Sequence, residues 1–514
     1  MTLGDTRRNT IGGSALSLKT ASVVVFVCLA AVALGGCKRQ AASTNKAAAL
    51  SAPAAETAGC PEPANGWKGA PSYGPAPSNP DDCFFYTAAW QNFLAATQPD
   101  AHADPAFIHY PNIANIFGGL AATRAFTDLK ANQLSVAVRD VERPNSLPSH
   151  ASRLVAVGEG VRQAGGLFGL VVDGAGNPVF YSIHVNDAYA QFIKTNGLTS
   201  KAAVEQHTAL EFPAGVAEYK AAWAVTADND PTNVNFITAT VDVPVLQQDA
   251  DGVTRITGRS RMATLKLIAF HVAFVIKDHP EFIWATFEHQ DGVDTTDLAP
   301  SAAGRDPAAA LAVRPGVKYI LFGPGASRDS ANTPCPGLGQ ACNPATGHPV
   351  LDATTQKFIA GGKVQQTSVF REFPGAKSDR DDEDDSVHAV NVSLRTVLLP
   401  QGGPADRRAN YRLVGATWLE HPRSTPDRPG DFGLGRPFRN PIGQDTENRS
   451  RVVAGEDALA SMAMESFTQR DSPNCFSCHD TKAIFSDESG NPVLLKPTLL
   501  NVSHVISRFL SNPR

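Results

Sequence analysis

The sequence predicts an α+β protein, with an antiparallel-rich β body and a short helical segment at the C-terminal end. Three observations carry that expectation. Long apolar or alternating runs fill the middle of the chain, most clearly at residues 217–225, 235–245, 264–276 and 282–289. Gly 42 and Pro 37 in 514 residues favour turns and strands over long helices. Helical spacing of large side chains is confined to short stretches near the start of the body and near the end of the chain. With 42% hydrophobic and 18% charged residues, the chain can bury one large core or two to three ordinary ones. The formal charge of −5 gives no electrostatic footprint for nucleic acid.

The first 36 residues read as a targeting segment. Arg7, Arg8 and Lys19 form a basic region, and residues 21–34 form an apolar stretch too short for a comfortable membrane span. It ends in Leu34-Gly35-Gly36-Cys37, which resembles a bacterial lipobox. Cys37 is then the expected lipid-anchor residue, and the membrane an expected partner through that lipid. Lys38, standing where an Asp would direct retention in the inner membrane, favours the outer membrane, on its periplasmic or cell-surface face. Cleavage removes three basic residues and one acidic residue, which takes the charge from −5 to −7. Residues 37–58 are poor in large apolar side chains and read as a flexible tether.

The body is expected at residues 59–421. Residues 84–94 place Phe85, Trp90 and Phe93 among apolar neighbours at helical spacing, as in a core helix. Residues 167–185 read as a hairpin turning at Asp173-Gly174-Ala175-Gly176-Asn177. Asn186 is a candidate cap for a helix over 187–195, which Asn196-Gly197 would end. The runs at 217–225, 235–245, 264–276 and 282–289 read as strands, as do 390–399 and 410–419. His271, His279, Glu288 and His289 invite a metal reading. Their spacing matches no recognised ligand set, and alternation puts Glu288 and His289 on opposite faces. The acidic run at 379–385 reads as a solvated loop. Residues 422–449, rich in Pro, Gly, Asn and Arg, read as a linker or surface loop before the segment 450–514.

That last segment carries Cys475-Phe476-Ser477-Cys478-His479, a C-x-x-C-H pattern. The spacing suits covalent attachment of one c-type haem. Cys475 and Cys478 would each bond a vinyl group, and His479 would be the proximal iron ligand. The competing readings are half a zinc site, a dithiol or a disulfide. The cysteine count bears on the choice. Of eight cysteines, Cys28 leaves with the targeting segment, Cys37 takes lipid and two take haem. Cys60, Cys83, Cys335 and Cys342 remain, and the sequence-local pairing is Cys60–Cys83 and Cys335–Cys342 in an oxidising compartment. A helix is expected at 456–468 before the motif and another at 497–510 after it. No Met follows His479. His504 is the candidate distal ligand, with Met462, Met464 or a body histidine as alternatives, or an open position.

A resemblance runs alongside these readings. Trp90-Gln91-Asn92-Phe93, Val179-Phe180-Tyr181 with Val185-Asn186, Lys220-Ala221-Ala222-Trp223, residues 283–289, Tyr411-Arg412-Leu413-Val414-Gly415 and Met464-Glu465-Ser466-Phe467 precede the C-x-x-C-H. The combination resembles bacterial proteins of the cytochrome c family. It implies one composite unit with a single haem and supplies no reaction. Three functions follow as expectations. One is electron transfer by an exported lipoprotein with a redox partner protein. Another is a haem enzyme of peroxidase or oxygenase type with an open distal site, lined by residues such as His271, Trp284 or His289. The third is a binding module whose haem is structural. The lipid anchor is testable by itself: Cys37→Ser is expected to abolish incorporation of radiolabelled palmitate and release the chain from the membrane fraction, whereas label retained in that variant would contradict the assignment.

Overall fold

A computed structural model describes most of residues 60–112, 170–290, 350–372, 386–419 and 453–506, with short stretches around 137–138, 296–300 and 317–332. The chain divides into Met1–Ala55 and Glu56–Arg514, and every described residue belongs to the second unit. Cys37, the tether, Cys335–Cys342, the run at 379–385, the segment 422–449, Cys478 and His504 lie outside the described residues. Among the described residues no helix is long and apolar enough to cross a membrane.

The core is an eight-stranded antiparallel sheet. Its strands are β1 (Ala137–Val138), β2 (Phe180–Val185), β3 (Ala217–Thr226), β4 (Thr238–Gln248), β5 (Thr254–Ile276), β6 (His279–His289), β7 (Tyr411–Leu419) and β8 (Val453–Gly455). The spatial order is β1-β2-β3-β5-β6-β7-β8, with β4 pairing along the first half of β5. The predicted strands at 217–225, 235–245, 264–276, 282–289 and 410–419 all lie in this sheet. β5 is its spine. Leu265, Leu267, Phe270, Val272 and Phe274 point to one face, and both faces of its second half are buried, as the near-continuous apolar run implied. Gly455 shows why β8 can close on β7. Its φ is +77°, and any side chain there would run into Ala416 and Trp418.

Helix α1 (Asp82–Ala96) covers the first face of the sheet. It is apolar nearly all round because it is packed from several sides. Phe93 stacks on Phe287 at 4.4 Å, Trp90 meets Phe287 edge-on at 4.8 Å, and Phe85 stacks on Trp418 at 4.0 Å. Helix α2 (Asp187–Thr195) starts where its cap predicts: the Asn186 side chain accepts the Tyr189 N–H at 3.0 Å. Gly197, at φ +61°, follows its end. A short helix α3 spans Lys201–Gln206.

Two expectations are corrected. Residues 390–399 are not a strand; α4 (Ser386–Leu398) occupies them. Val387, Val390, Leu394 and Leu398 are its buried residues, and their spacing is helical. The Trp90 indole donates to Asn391 on α4 at 3.0 Å, and the Asn391 amide donates to the Leu413 carbonyl at 2.9 Å, which ties both helices to the sheet. The helix expected at 456–468 is a series of turns. The Ser461, Met462 and Ala463 N–H groups are taken by side chains. Over 497–510 the described residues form a 3-10 turn, Leu499–Val502, and a brief helical stretch at 505–506, and a longer helix is not shown among them.

Cys60 and Cys83 form the expected disulfide, tying the start of α1 to the preceding loop. It closes a loop with a sequence separation of 23, for which unfolded-chain entropy gives about 3 kcal/mol. The double substitution Cys60→Ser/Cys83→Ser is therefore expected to lower unfolding free energy by about that amount in urea titration. An unchanged midpoint would contradict a stabilising role.

Candidate functional site

The second face of the sheet holds the site, and strand register explains it. Across β3, β5 and β6, Lys220 pairs with His271, which pairs with Thr286. Side chains two positions along a strand share a face. The row on one side is Glu218, Ala273 and Trp284; the row on the other is Ala222, Ala269 and Glu288. Three parallel rows therefore cross one face, and the central one is polar. Apolar clusters flank it, one around Ile183, Val185, Ala273 and Phe282, the other around Tyr181, Ala222, Ala269 and Met462.

The C-terminal segment lies on these rows and meets each with a specific partner. Ser503 donates to Glu218 at 2.7 Å and shares a 2.6 Å hydrogen bond with Tyr189 of α2. Glu465 accepts from His271 Nε2 at 3.0 Å, lies 3.8 Å from the Lys220 ammonium and accepts the Ser461 N–H at 2.7 Å. His271 Nδ1 is 3.0 Å from the Thr286 hydroxyl. Glu288 accepts the Met462 N–H at 2.6 Å and pairs with Arg371, whose guanidinium also reaches the Ala460 carbonyl at 3.2 Å. The Tyr181 hydroxyl donates to the Ala463 carbonyl at 2.6 Å. At Ser461 and Met462 these bonds take the place of a helical ladder, while the Glu465 N–H donates to the Ser461 carbonyl at 2.9 Å. Burial alone raises the Glu465 carboxyl, but the charge and hydrogen bond of His271 and the charge of Lys220 outweigh it and hold the pKa below the usual carboxylate value.

Cys475–Ser477 is a 3-10 turn, and the His479 N–H donates to the Cys475 carbonyl at 2.9 Å. Cys475 and His479 therefore sit one turn apart. Cys475 is half-buried beside an apolar cluster that contains Phe476. His479 stacks on Trp284 with centroids 4.1 Å apart and an interplanar angle of 25°. Its Nδ1 lies 3.0 Å from the Val502 carbonyl. A carbonyl can only accept, so Nδ1 carries the proton and the ring's lone pair is on Nε2. Burial first, then the Lys220 charge, pushes the pKa of His479 down to about 3. The ring is neutral at ordinary pH, as a metal-binding imidazole must be.

The other histidines are dispersed and individually engaged. His279 Nδ1 lies 2.9 Å from Glu281, whose carboxyl is fully buried. His289 turns to Phe236, on which it stacks at 3.6 Å, and to the Asn235 carbonyl at 3.1 Å, so it does not join Trp284 and His271. Together with the pairing of Glu288 to Arg371, this leaves no shared ligand set among the four residues that invited a metal reading. Met462 and Met464 are buried in the cluster with Ala463. Asp100, Asp104 and His109 form a separate, more exposed group of metal-ligating types that the sequence reading passed over. Lys220, Arg371, Glu465 and Ser503 were also passed over. The available signal was a pair of charges, Glu218 and Lys220, in alternation within an otherwise apolar strand.

The chain matches no protein-family model, no curated protein and no solved structure.

His184, on β2, is a core residue. It is 1% exposed, and burial lowers its pKa to about 4. A histidine protonated more readily when unfolded makes stability fall as pH drops from 6.5 toward 4, since the unfolded state then binds more protons. In His184→Phe that part of the loss should vanish. The wild-type-minus-variant difference in unfolding free energy is expected to change by up to about 3 kcal/mol over this window. Parallel pH profiles would contradict the buried neutral state.

Proposed function

We propose that this chain is an exported lipoprotein carrying one covalent c-type haem, attached through Cys475 and Cys478 with His479 as proximal ligand, and that it transfers electrons in the periplasm or at the outer membrane. The resemblance to bacterial cytochrome c family proteins points the same way. The observation that carries the reading is the His479 imidazole: neutral, and with Nδ1–H committed to the Val502 carbonyl, so that Nε2 is its metal-binding atom. The residues fit the group, because Cys475 stands one turn from that imidazole. When bound, haem supplies a reversible one-electron change at iron.

The chain's own contribution is orientation and shielding. Val502 fixes the tautomer, and Trp284 covers one face of the ring. The apolar cluster that contains Phe282 and Phe476 excludes water from that side. Lys220, His271 and Glu465 add a half-buried set of charges that can tune a nearby redox centre. That same set favours a second reading, a haem enzyme of peroxidase or oxygenase type, because a half-buried His–carboxylate pair beside an ammonium can hold and release a proton. Nothing comparable favours a purely structural haem.

Full-length protein from a host with c-type haem maturation is expected to give one c-type haem per chain by pyridine haemochrome, and none in Cys475→Ala/Cys478→Ala. A haem-free wild type, or covalent haem in the double variant, would overturn the proposal. A low-spin ferric spectrum supports electron transfer; a high-spin spectrum with rapid carbon monoxide binding supports the enzyme.

A further inference from the structure

We propose that Trp284 is a positioning residue for His479, fixing the plane of its imidazole so that Nε2 is presented in one direction before iron is bound. The inference rests on the haem reading for its purpose, though not for its geometry.

Two constraints define the orientation of a planar ring, and both are present. The Val502 carbonyl, 3.0 Å from Nδ1, sets the rotation of the ring within its own plane. The indole of Trp284, 4.1 Å away and inclined by 25°, sets the tilt of that plane. Trp284 is itself braced. It leans on Phe282 at 5.9 Å, Phe282 meets Phe212 at 4.9 Å, and Phe212 stacks on Tyr189 of α2 at 5.3 Å. Phe282 has φ +70°, a left-handed conformation unusual for a large side chain. It lies where the β5–β6 register shifts between Phe274 and Ile276, and it packs in the apolar cluster beside Trp284. A strained residue kept in place by packing on every side is a device for aiming its neighbours. Trp284 is 6% exposed, and its indole N–H is buried without an acceptor among the described residues. Hydrogen bonding therefore does not hold the indole in this pose; ring packing does. An indole kept for its own stability would ordinarily satisfy that donor.

Two measurements on the full-length chain test the proposal. The first needs no haem. In Cys475→Ala/Cys478→Ala, nitrogen-15 shifts of His479 are expected to report a single Nδ1–H tautomer. Adding Trp284→Leu frees the ring to tilt away from the Val502 carbonyl that fixes its tautomer, so it should give a mixture of tautomers or a broadened signal, and Trp284→Phe should restore the single form. The second uses the haem-loaded protein. Low-temperature electron paramagnetic resonance of the ferric state should show one narrow set of g-values in the wild type, a spread of g-values in Trp284→Leu and recovery in Trp284→Phe. Far-ultraviolet circular dichroism checks that each variant is folded. Should the leucine variant unfold, the comparison between wild type and Trp284→Phe decides: preserved g-values and tautomer support a stacking role, and altered ones overturn it. A folded Trp284→Leu chain with wild-type tautomer and g-values overturns the proposal. A wild type with no covalent haem overturns the haem reading, while the haem-free measurement still decides whether Trp284 orients His479.

Discussion

The register of β3, β5 and β6 is the constraint from which the rest follows. Pairing Lys220 with His271 and His271 with Thr286 puts three polar side chains in one row on one face. A shift of one residue on any of these strands would send its polar side chain into the cluster beneath α1 and bring apolar groups to the second face. The aromatic packing of Trp90 and Phe93 against Phe287 holds β6 against such a slip from the other side. The helix-covered face therefore stabilises the sheet, and the opposite face receives the C-terminal segment.

That reception is polar at its centre and apolar at its flanks. Glu218, the Lys220–His271 pair and Glu288 each engage a different stretch of the segment, so the chain can dock in one alignment only. Glu288 and Arg371 are both 3% exposed at their side chains. A buried pair of this kind resists separation, because either charge left alone in such a place is strongly unfavourable. The apolar flanks supply most of the favourable burial, and the polar row selects the arrangement.

Much of the fold was legible because local signals and tertiary structure agree. Asn186 is a good cap in sequence and a cap in the fold. The runs at 217–225, 264–276 and 282–289 are strands for the reason their composition suggests. The failures have physical causes. Residues 386–398 are rich in Val, which favours a strand, but Val387, Val390, Leu394 and Leu398 recur at helical spacing, and docking beside α1 rewards that period. Residues 456–468 have an amphipathic pattern, yet Glu288 and Glu465 take the Met462 and Ser461 N–H groups that a helix would use. No local pattern announces the Glu288 carboxylate, which arrives from 174 residues away. The site was legible in part. Cys475 and His479 stand out by spacing, and Trp284 and His271 by residue type. Glu465, Arg371 and Ser503 have meaning only once the strand register is known.

The central claim is that the motif at 475–479 holds haem covalently, with His479 presented to iron by the sheet. Mass spectrometry of a tryptic digest of the purified full-length protein tests it most directly. Cleavage after Arg470 and Lys482 isolates one peptide that contains both Cys475 and Cys478. The account predicts a haem adduct on that peptide and on no other. Haem that extracts into acidified organic solvent, leaving the peptide at its bare mass or as a disulfide, would contradict it.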